Sequence, residues 1–172
     1  MDGAILLAVL SAAVTVAGWL ISHILTTRRE RKTQQLTALL AFTERQLEEL
    51  YGPLAFLVWE GRQAFADLLE IFGRNYVFLP NGTLSEDELQ TWLFWLDNYF
   101  FPKNEQIKTL LMKHTHLIEG DEMPASYLAF LEHHNSWYLN HLCWKKEGVE
   151  YSWHSKNNAP RAIEKEVLDT FK

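Results

Sequence analysis

Histidine and carboxylate side chains are the groups of this 172-residue chain best suited to chemistry. His114 and His116 precede an acidic turn, and three more histidines follow further along: His133, His134 and His141. Imidazole and carboxylate groups together can bind a metal ion. His134 and His141 would lie about 10 Å apart along a helix, too far for one ion. The pattern leaves two interpretations: a metal or hydrolytic site that joins separate helices, or histidines at a surface or interface, which we favour.

The acidic turn Glu119–Glu122 lacks the ligand spacing of a calcium loop, because the alternating Asp or Asn ligands and the twelfth-position Glu are missing. We predict a solvated turn in which an Asp or Glu caps the helix that opens at Pro124. No glycine-rich phosphate loop, GxSxG or HExxH motif occurs in the sequence. We therefore expect no catalytic residue, no metal, no cofactor and no enzyme activity.

Net charge and cysteine content argue against further classes of protein and site. A formal net charge of −6 argues against a general nucleic-acid-binding protein, whose surface is basic, and no direct contact with nucleic acid is expected. The single cysteine, Cys143, excludes an intrachain disulfide and a multi-cysteine zinc site. This cysteine usage is typical of a reducing cytoplasm.

The N-terminal segment is the most informative part of the sequence. Gly3 to Thr27 contains no charged residue and would span roughly 37 Å as a helix, enough to cross a bilayer. Basic residues follow it directly: Arg28, Arg29, Arg31 and Lys32. A cleaved signal peptide carries its cations before the apolar stretch, so the pattern favours an anchor. The positive-inside rule then predicts a single-pass protein of the bacterial inner membrane, with its N-terminus outside and the rest cytoplasmic.

Small and hydroxyl residues form a stripe along this predicted helix. At 100° per residue its six members stay within about 40° of one line: Ala4, Ala8, Ser11, Thr15, Gly18 and Ser22. Small residues allow helix backbones to approach each other, so the stripe favours self-association. The same residues could line a narrow lumen in a ring of helices. The alternative is a plain anchor in which these residues coincide by chance.

The remaining chain is predicted to be an all-α cytoplasmic bundle. Helical spacing from Leu36 through Leu40 and Leu47 to Leu54 predicts a buried stripe in a helix that continues out of the membrane. Gly52 and Pro53 should kink or interrupt this helix and act as a hinge. The predicted domains are a transmembrane helix (1–27), a juxtamembrane helical stalk (28–52) and a helical bundle (53–172).

Local signals divide the bundle into helices. Gly73 should end the second helix, and Ser85 with Glu88 forms a capping box that starts the next one. Pro102 should close that helix. Further helices are predicted from about 104 to 118, from Pro124 to about Glu147 with Gly148 as the stop, and from Pro160 onward. The tryptophans are expected to lie mostly in the core: Trp59, Trp92, Trp95, Trp137, Trp144 and Trp153.

Three stretches carry a resemblance to a known family: Glu44–Leu54, Phe101–Ile107 and Leu117–Pro124. They resemble a bacterial family of small membrane-anchored proteins with a helical cytoplasmic domain, a resemblance that implies an architecture and no reaction. In architecture alone, the chain is similar to the small membrane proteins that accompany type VI-B CRISPR nucleases. That similarity implies an oligomeric pore in antiphage defence. The divergent HEPN ribonuclease motif of that group, Arg and His separated by four to six residues, is absent here.

The sequence thus predicts a membrane-anchored homo-oligomer, with a pore-forming or membrane-perturbing role in antiphage defence as the sharpest hypothesis. Its expected partners are membrane lipid, further copies of the chain and a cytosolic defence protein. The alternative is a membrane-tethered scaffold that recruits a cytosolic partner and conducts nothing. A membrane-tethered nuclease or hydrolase comes third.

Overall fold

The computed structural model describes residues 3–78, 84–148 and 161–169. These residues form helices without any strand, which confirms the all-α class. The chain divides into two compact units, residues 1–44 and 45–172. The functional division at 27/28 and 52/53 stays a prediction.

The elements follow in chain order. Helix α1 comprises Gly3–Arg45 and is followed by a π-helical segment, Gln46–Tyr51. Helix α2 is Gly52–Phe72 and α3 is Glu86–Trp95. A second π-helical segment, Leu96–Phe100, precedes α4, Phe101–Lys113. A short 3-10 turn, Thr115–Leu117, precedes α5, Ala125–Glu147, and α6 is Arg161–Asp169.

Three predicted helix boundaries are confirmed. Gly73 and Gly148 follow α2 and α5 with φ angles of 63° and 65°, a left-handed conformation that glycine adopts without a Cβ penalty. Ser85 caps α3: its hydroxyl accepts from the Glu88 N–H, while the Glu88 carboxylate accepts from the Ser85 N–H. The predicted helix start at Pro160 lies outside the described residues.

Proline does not end the helix at either of two predicted breaks. The closure predicted at Pro102 is wrong, because the backbone passes through the Leu96–Phe100 π-helical segment into α4. Gly52 and Pro53 likewise stand at the start of α2, directly after a π-helical segment. In each case the residue before the proline donates to the carbonyl five positions back, Gly52 to Leu47 and Phe101 to Leu96. The wider π-helical turn removes the i−4 hydrogen bond that proline cannot make.

Four helices of the second unit pack in a closed cycle. Helices α2 and α5 each contact both α4 and α6. Every contact in the cycle also carries a polar pair: Glu60–Lys103 between α2 and α4, Arg62–Glu164 between α2 and α6, Ser126–Glu166 between α5 and α6, and Glu105–His134 between α4 and α5. Each pair of neighbouring helices is therefore joined by a polar contact in addition to apolar packing.

Two apolar clusters form the core of this unit. The first joins α2, α4, α5 and α6 around Leu54, Leu111, Tyr127 and Val167. The second surrounds Leu68, Trp92 and Leu96. Among the tryptophans, Trp92 is buried and Trp95, Trp137 and Trp144 are half-buried, whereas Trp59 is exposed and Trp153 lies outside the described residues.

The prediction of one buried leucine stripe is correct only in part. Leu50 and Leu54 are fully buried in the bundle. In α1, however, Leu36, Leu39 and Leu40 are exposed, and no residue of that helix is buried. The three-four spacing correctly identifies an apolar face, but nothing within the described chain covers it in α1.

Candidate functional site

Helix α1 is the element whose surface differs most from that of a water-soluble helix. Its 43 residues would measure about 65 Å, and Gly3–Thr27 is free of charge. By length and composition this helix could span a membrane. A core helix of similar composition would be mostly buried, whereas none of this apolar stretch is buried in the structure.

The predicted stripe residues lie exposed on the first half of α1: Ala4, Ala8, Ser11, Thr15, Gly18 and Ser22. The Ser11 hydroxyl donates to the Ala8 carbonyl and the Thr15 hydroxyl donates to the Ser11 carbonyl, each at 2.9 Å. Both hydroxyl protons are thus used within the helix, and the oxygens keep acceptor capacity. A Cβ added at Gly18 would meet nothing within 4 Å, so the helix surface there is open.

The juxtamembrane cations are also exposed on α1: Arg28, Arg29, Arg31 and Lys32. Upstream of them, the rings of Trp19 and His23 stack with centroids 5.7 Å apart. An amphipathic pair close to a basic flank is typical of a membrane interface. An aromatic pair and a basic group thus follow each other near the middle of α1.

Within the bundle, the three histidines of α5 are buried, so their interpretation as surface or interface residues is wrong. His134 Nε2 lies 3.1 Å from Glu105 Oε2 on α4. His141 Nε2 lies 2.8 Å from Asp97 Oδ1 in the second π-helical segment, and Lys145 Nζ binds Asp97 Oδ2 at 3.0 Å. These side chains join separate helices, as pairs of one imidazole and one carboxylate.

Burial and hydrogen bonding shift the pKa values of these pairs in opposing directions. Burial raises the pKa of Asp97, but hydrogen bonds from Lys145 and His141 outweigh it and lower that pKa below its usual value. Burial also lowers the pKa of His134, against the opposing effect of the Glu105 carboxylate. His134 is therefore a neutral donor at pH 7. Its role is to attach α5 to α4.

Arg45, Glu49, His114 and His116 form a polar cluster at the edge of the bundle, in which the His114 side chain is buried. Arg45 Nε binds Glu49 Oε1 at 3.2 Å, and Arg45 Nη2 lies 3.5 Å from His116 Nε2. His114 Nδ1 is 3.4 Å from Glu49 Oε2. The Arg45 hydrogen bond lowers the pKa of Glu49 despite some desolvation. The cluster pairs its charges internally.

The segment that contains the predicted hinge is held to the chain around residue 117. Gln46 Nε2 donates to the Leu117 carbonyl at 2.8 Å, and the Glu119 N–H donates to Tyr51 Oη at 3.0 Å. A Cβ at Gly52 would lie 2.7 Å from the Leu47 carbonyl oxygen, so glycine is required there. A hinge motion at Gly52 and Pro53 stays a prediction.

The acidic turn is exposed, but its predicted capping role is wrong. Helix α5 has Pro124 at its N-cap position, and no side chain caps it. Within residues 3–78, 84–148 and 161–169, no group of three or more His, Cys, Asp or Glu side chains is placed to hold a metal ion. Among the histidines of α5, His134 faces Glu105, His141 faces Asp97, and the His133 ring packs against the Trp137 ring.

Sequence reasoning missed Asp97, Glu105 and Lys145 as partners of the histidines. Asp97 and His141 are 44 residues apart, and no local spacing links them. One available signal was the i,i+4 pair His141 and Lys145, which presents two donors on one helix face. Such a pair favours a carboxylate opposite but does not specify which one.

Comparisons with known proteins leave the family open. A scan against protein-family models, a search of curated proteins and a search of solved structures each found no match.

Proposed function

We propose that this chain is a single-pass protein of the bacterial inner membrane that self-associates through its N-terminal helix and carries a cytoplasmic helical bundle. One observation supports this most strongly: α1 is uncharged from Gly3 to Thr27 and has no buried residue. An apolar helix that is unburied over this length is unfavourable in water and favourable in lipid.

The orientation follows from the charges. The cations lie C-terminal to the apolar run, at Arg28, Arg29, Arg31 and Lys32. The positive-inside rule places this flank, and the bundle after it, in the cytoplasm. The free, exposed Cys143 suits a reducing compartment.

Self-association is supported by the open surface of the small-residue stripe. A Cβ added at Gly18 would meet nothing within 4 Å, and the other stripe residues are small or carry a hydroxyl, so a second backbone can approach there. In the sharpest form of the proposal, several copies form a ring, and Ser11 and Thr15 face a narrow lumen. The protein then acts as a pore-forming or membrane-perturbing accessory in antiphage defence, as the architectural resemblance implies.

A tethered scaffold is the second candidate, and one feature of the bundle favours it. Phe56 and Trp59 on α2 are 61% and 58% exposed, and aromatic side chains of this kind are common at protein interfaces. A cytosolic partner could bind there without any conduction. A tethered hydrolase or nuclease ranks third, because no catalytic motif supports it.

Anchoring and orientation are tested with a reporter fused after Lys172. We expect cytoplasmic reporter activity in the membrane fraction, with Met1 retained in the intact mass. Periplasmic activity would reverse the orientation. Loss of the first residues from the mature protein would identify the segment as a signal peptide.

Conduction is tested with the double variant Ser11→Leu/Thr15→Leu. Two leucines would make a lumen apolar and favour dewetting, a known way to close a pore. The matched control, Ala13→Leu/Ala17→Leu, adds similar bulk on the opposite side of α1. We expect expression of the wild type and the control to depolarise the inner membrane, and the double variant to leave its potential intact. Equal depolarisation by all three proteins would contradict a lumen lined by Ser11 and Thr15. Depolarisation by none of them would favour the scaffold.

A further inference from the structure

The second half of α1 carries a wide apolar face that no described residue covers. We name it the leucine face: Leu36, Leu39, Leu40 and Phe42, which are 57%, 61%, 60% and 41% exposed. Glutamine, threonine and alanine occupy the opposite side of the same turns. Unlike Gly3–Thr27, this stretch follows the basic flank, where water replaces lipid under the proposed topology. Apolar side chains there are stabilised only when another surface covers them.

A seven-residue repeat connects this face to the small-residue stripe. One position of the repeat is occupied by Ala4, Ser11, Gly18, Leu25, Lys32 and Leu39; the other by Ala8, Thr15, Ser22, Arg29, Leu36 and Thr43. Both series lie within the single helix α1. A sustained seven-residue repeat is the pattern of helices that coil around each other. The two surfaces are therefore in register along one seam.

Two cations, Arg29 and Lys32, interrupt the repeat, and the hydroxyl residue Thr43 is its last position. The two cations follow the uncharged stretch, at the level of the lipid headgroups under the proposed topology. Anionic phosphates and water are available there to separate like charges. Arg29 and Lys32 therefore lie at a level of the membrane where identical helices can pack side by side despite their like charges.

The occupant that fits both parts of the seam is a second copy of this chain. Copies anchored by one span in one membrane have the same direction, so their helices are parallel and their repeats align. Small residues suit close packing in lipid, whereas leucines suit burial in water. Leu40 and Phe42 flank the seam on its two sides and widen the apolar surface beyond the two positions of a two-helix coil.

We propose that the leucine face is an interface between copies of this chain, packed in parallel and in register with the membrane stripe. The inference rests on the proposed membrane anchoring and extends the self-association outside the lipid. It assigns to Leu36 and Leu39 the central contacts, with Leu40 and Phe42 at the sides.

Disulfide crosslinking of the full-length protein tests this geometry. In a Cys143→Ser background, single cysteines are placed by Leu36→Cys and Leu39→Cys on the face, and by Gln34→Cys and Ala41→Cys on the opposite side. Isolated membranes are oxidised with copper–phenanthroline. Because symmetry brings each seam position close to itself in the neighbour, we expect a shift from monomer to dimer at positions 36 and 39, with only trace dimer at 34 and 41. Equal crosslinking at all four positions indicates collision and overturns the interface.

A further cysteine, Ser22→Cys, separates this inference from the proposed function. Crosslinking at position 22 but not at 36 or 39 means that association ends within the membrane, which overturns the leucine face alone. Release of the protein into the soluble fraction overturns the membrane proposal instead. A triple variant, Leu36→Ser/Leu39→Ser/Leu40→Ser, should reduce the particle size in mild detergent relative to Ala38→Ser/Ala41→Ser, and an unchanged size contradicts the interface.

Discussion

Leucines of α1 and leucines of the bundle follow the same spacing but have opposite environments. Leu36 is 57% exposed, whereas Leu68 on α2 is fully buried. In the bundle the covering surface comes from the same chain, because Leu68 packs in one apolar cluster with Val77, Trp92, Leu96 and Phe101. In α1 the residues that the structure describes supply no such cover, and Leu36, Leu39 and Leu40 are exposed. Helical periodicity identifies an apolar face that another surface must cover. If that surface belongs to the same chain, the face stabilises the fold; if it belongs to another chain, the face stabilises an assembly.

Matched truncations of one leucine in each region give the largest expected difference. Leu68→Ala should lower the free energy of unfolding of the bundle by about 2–5 kcal/mol, because it leaves a cavity in a fully packed site. Leu36→Ala should leave that free energy unchanged. Urea denaturation followed by tryptophan fluorescence measures both. A similar loss for the two variants would mean that α1 contributes to the bundle core.

Gly52 and Gly61 of α2 differ in the space available for a side chain. Gly52→Ala should destabilise the bundle by about 1–3 kcal/mol, since its Cβ would lie 2.7 Å from the Leu47 carbonyl oxygen. Gly61→Ala, with nothing within 4 Å, should stabilise it by about 0.4–1 kcal/mol. Thermal unfolding of both variants gives the signs. Stabilisation by both would show that the π-helical turn before Pro53 relaxes easily.

Acidification should affect the bundle through His134. Burial lowers the pKa of His134 below its model-compound value of 6.5, so the unfolded chain binds a proton there before the folded chain does. Stability is therefore complete above pH 6.5 and falls as the pH drops below it, by at most about 1.4 kcal/mol per pH unit for one proton. His134→Gln keeps a donor for Glu105 and should flatten this slope. Denaturation midpoints between pH 7 and 5 provide the measurement, and an unchanged slope would assign the effect to other groups.

The smallest expected effect concerns the cap of α3. Ser85→Ala removes the acceptor of the Glu88 N–H and should cost about 1 kcal/mol, whereas Ser85→Gly should cost only a few tenths. Both changes act on the bundle alone. Chemical denaturation of the two variants separates the capping bond from a general effect of shortening the side chain.

The bundle predictions that proved correct depend on local chemistry. The left-handed glycines after α2 and α5 and the reciprocal bonds of Ser85 and Glu88 involve residues a few positions apart. The helix end predicted at Pro102 is wrong, because the backbone forms a π-helical turn directly before it. Leu96 and Phe101 are buried at the two ends of that turn, so tertiary packing accompanies it.

By itself, the sequence determined that this chain is helical, that its first helix is apolar enough to cross a membrane, and where several helices begin and end. These properties depend on side-chain type and on bonds within one or two helical turns. Only the tertiary structure decided that His134 and His141 are buried against Glu105 and Asp97, and that Leu68 is covered while Leu36 is not. Such contacts join residues far apart in the chain, and their energy depends on which helices pack together.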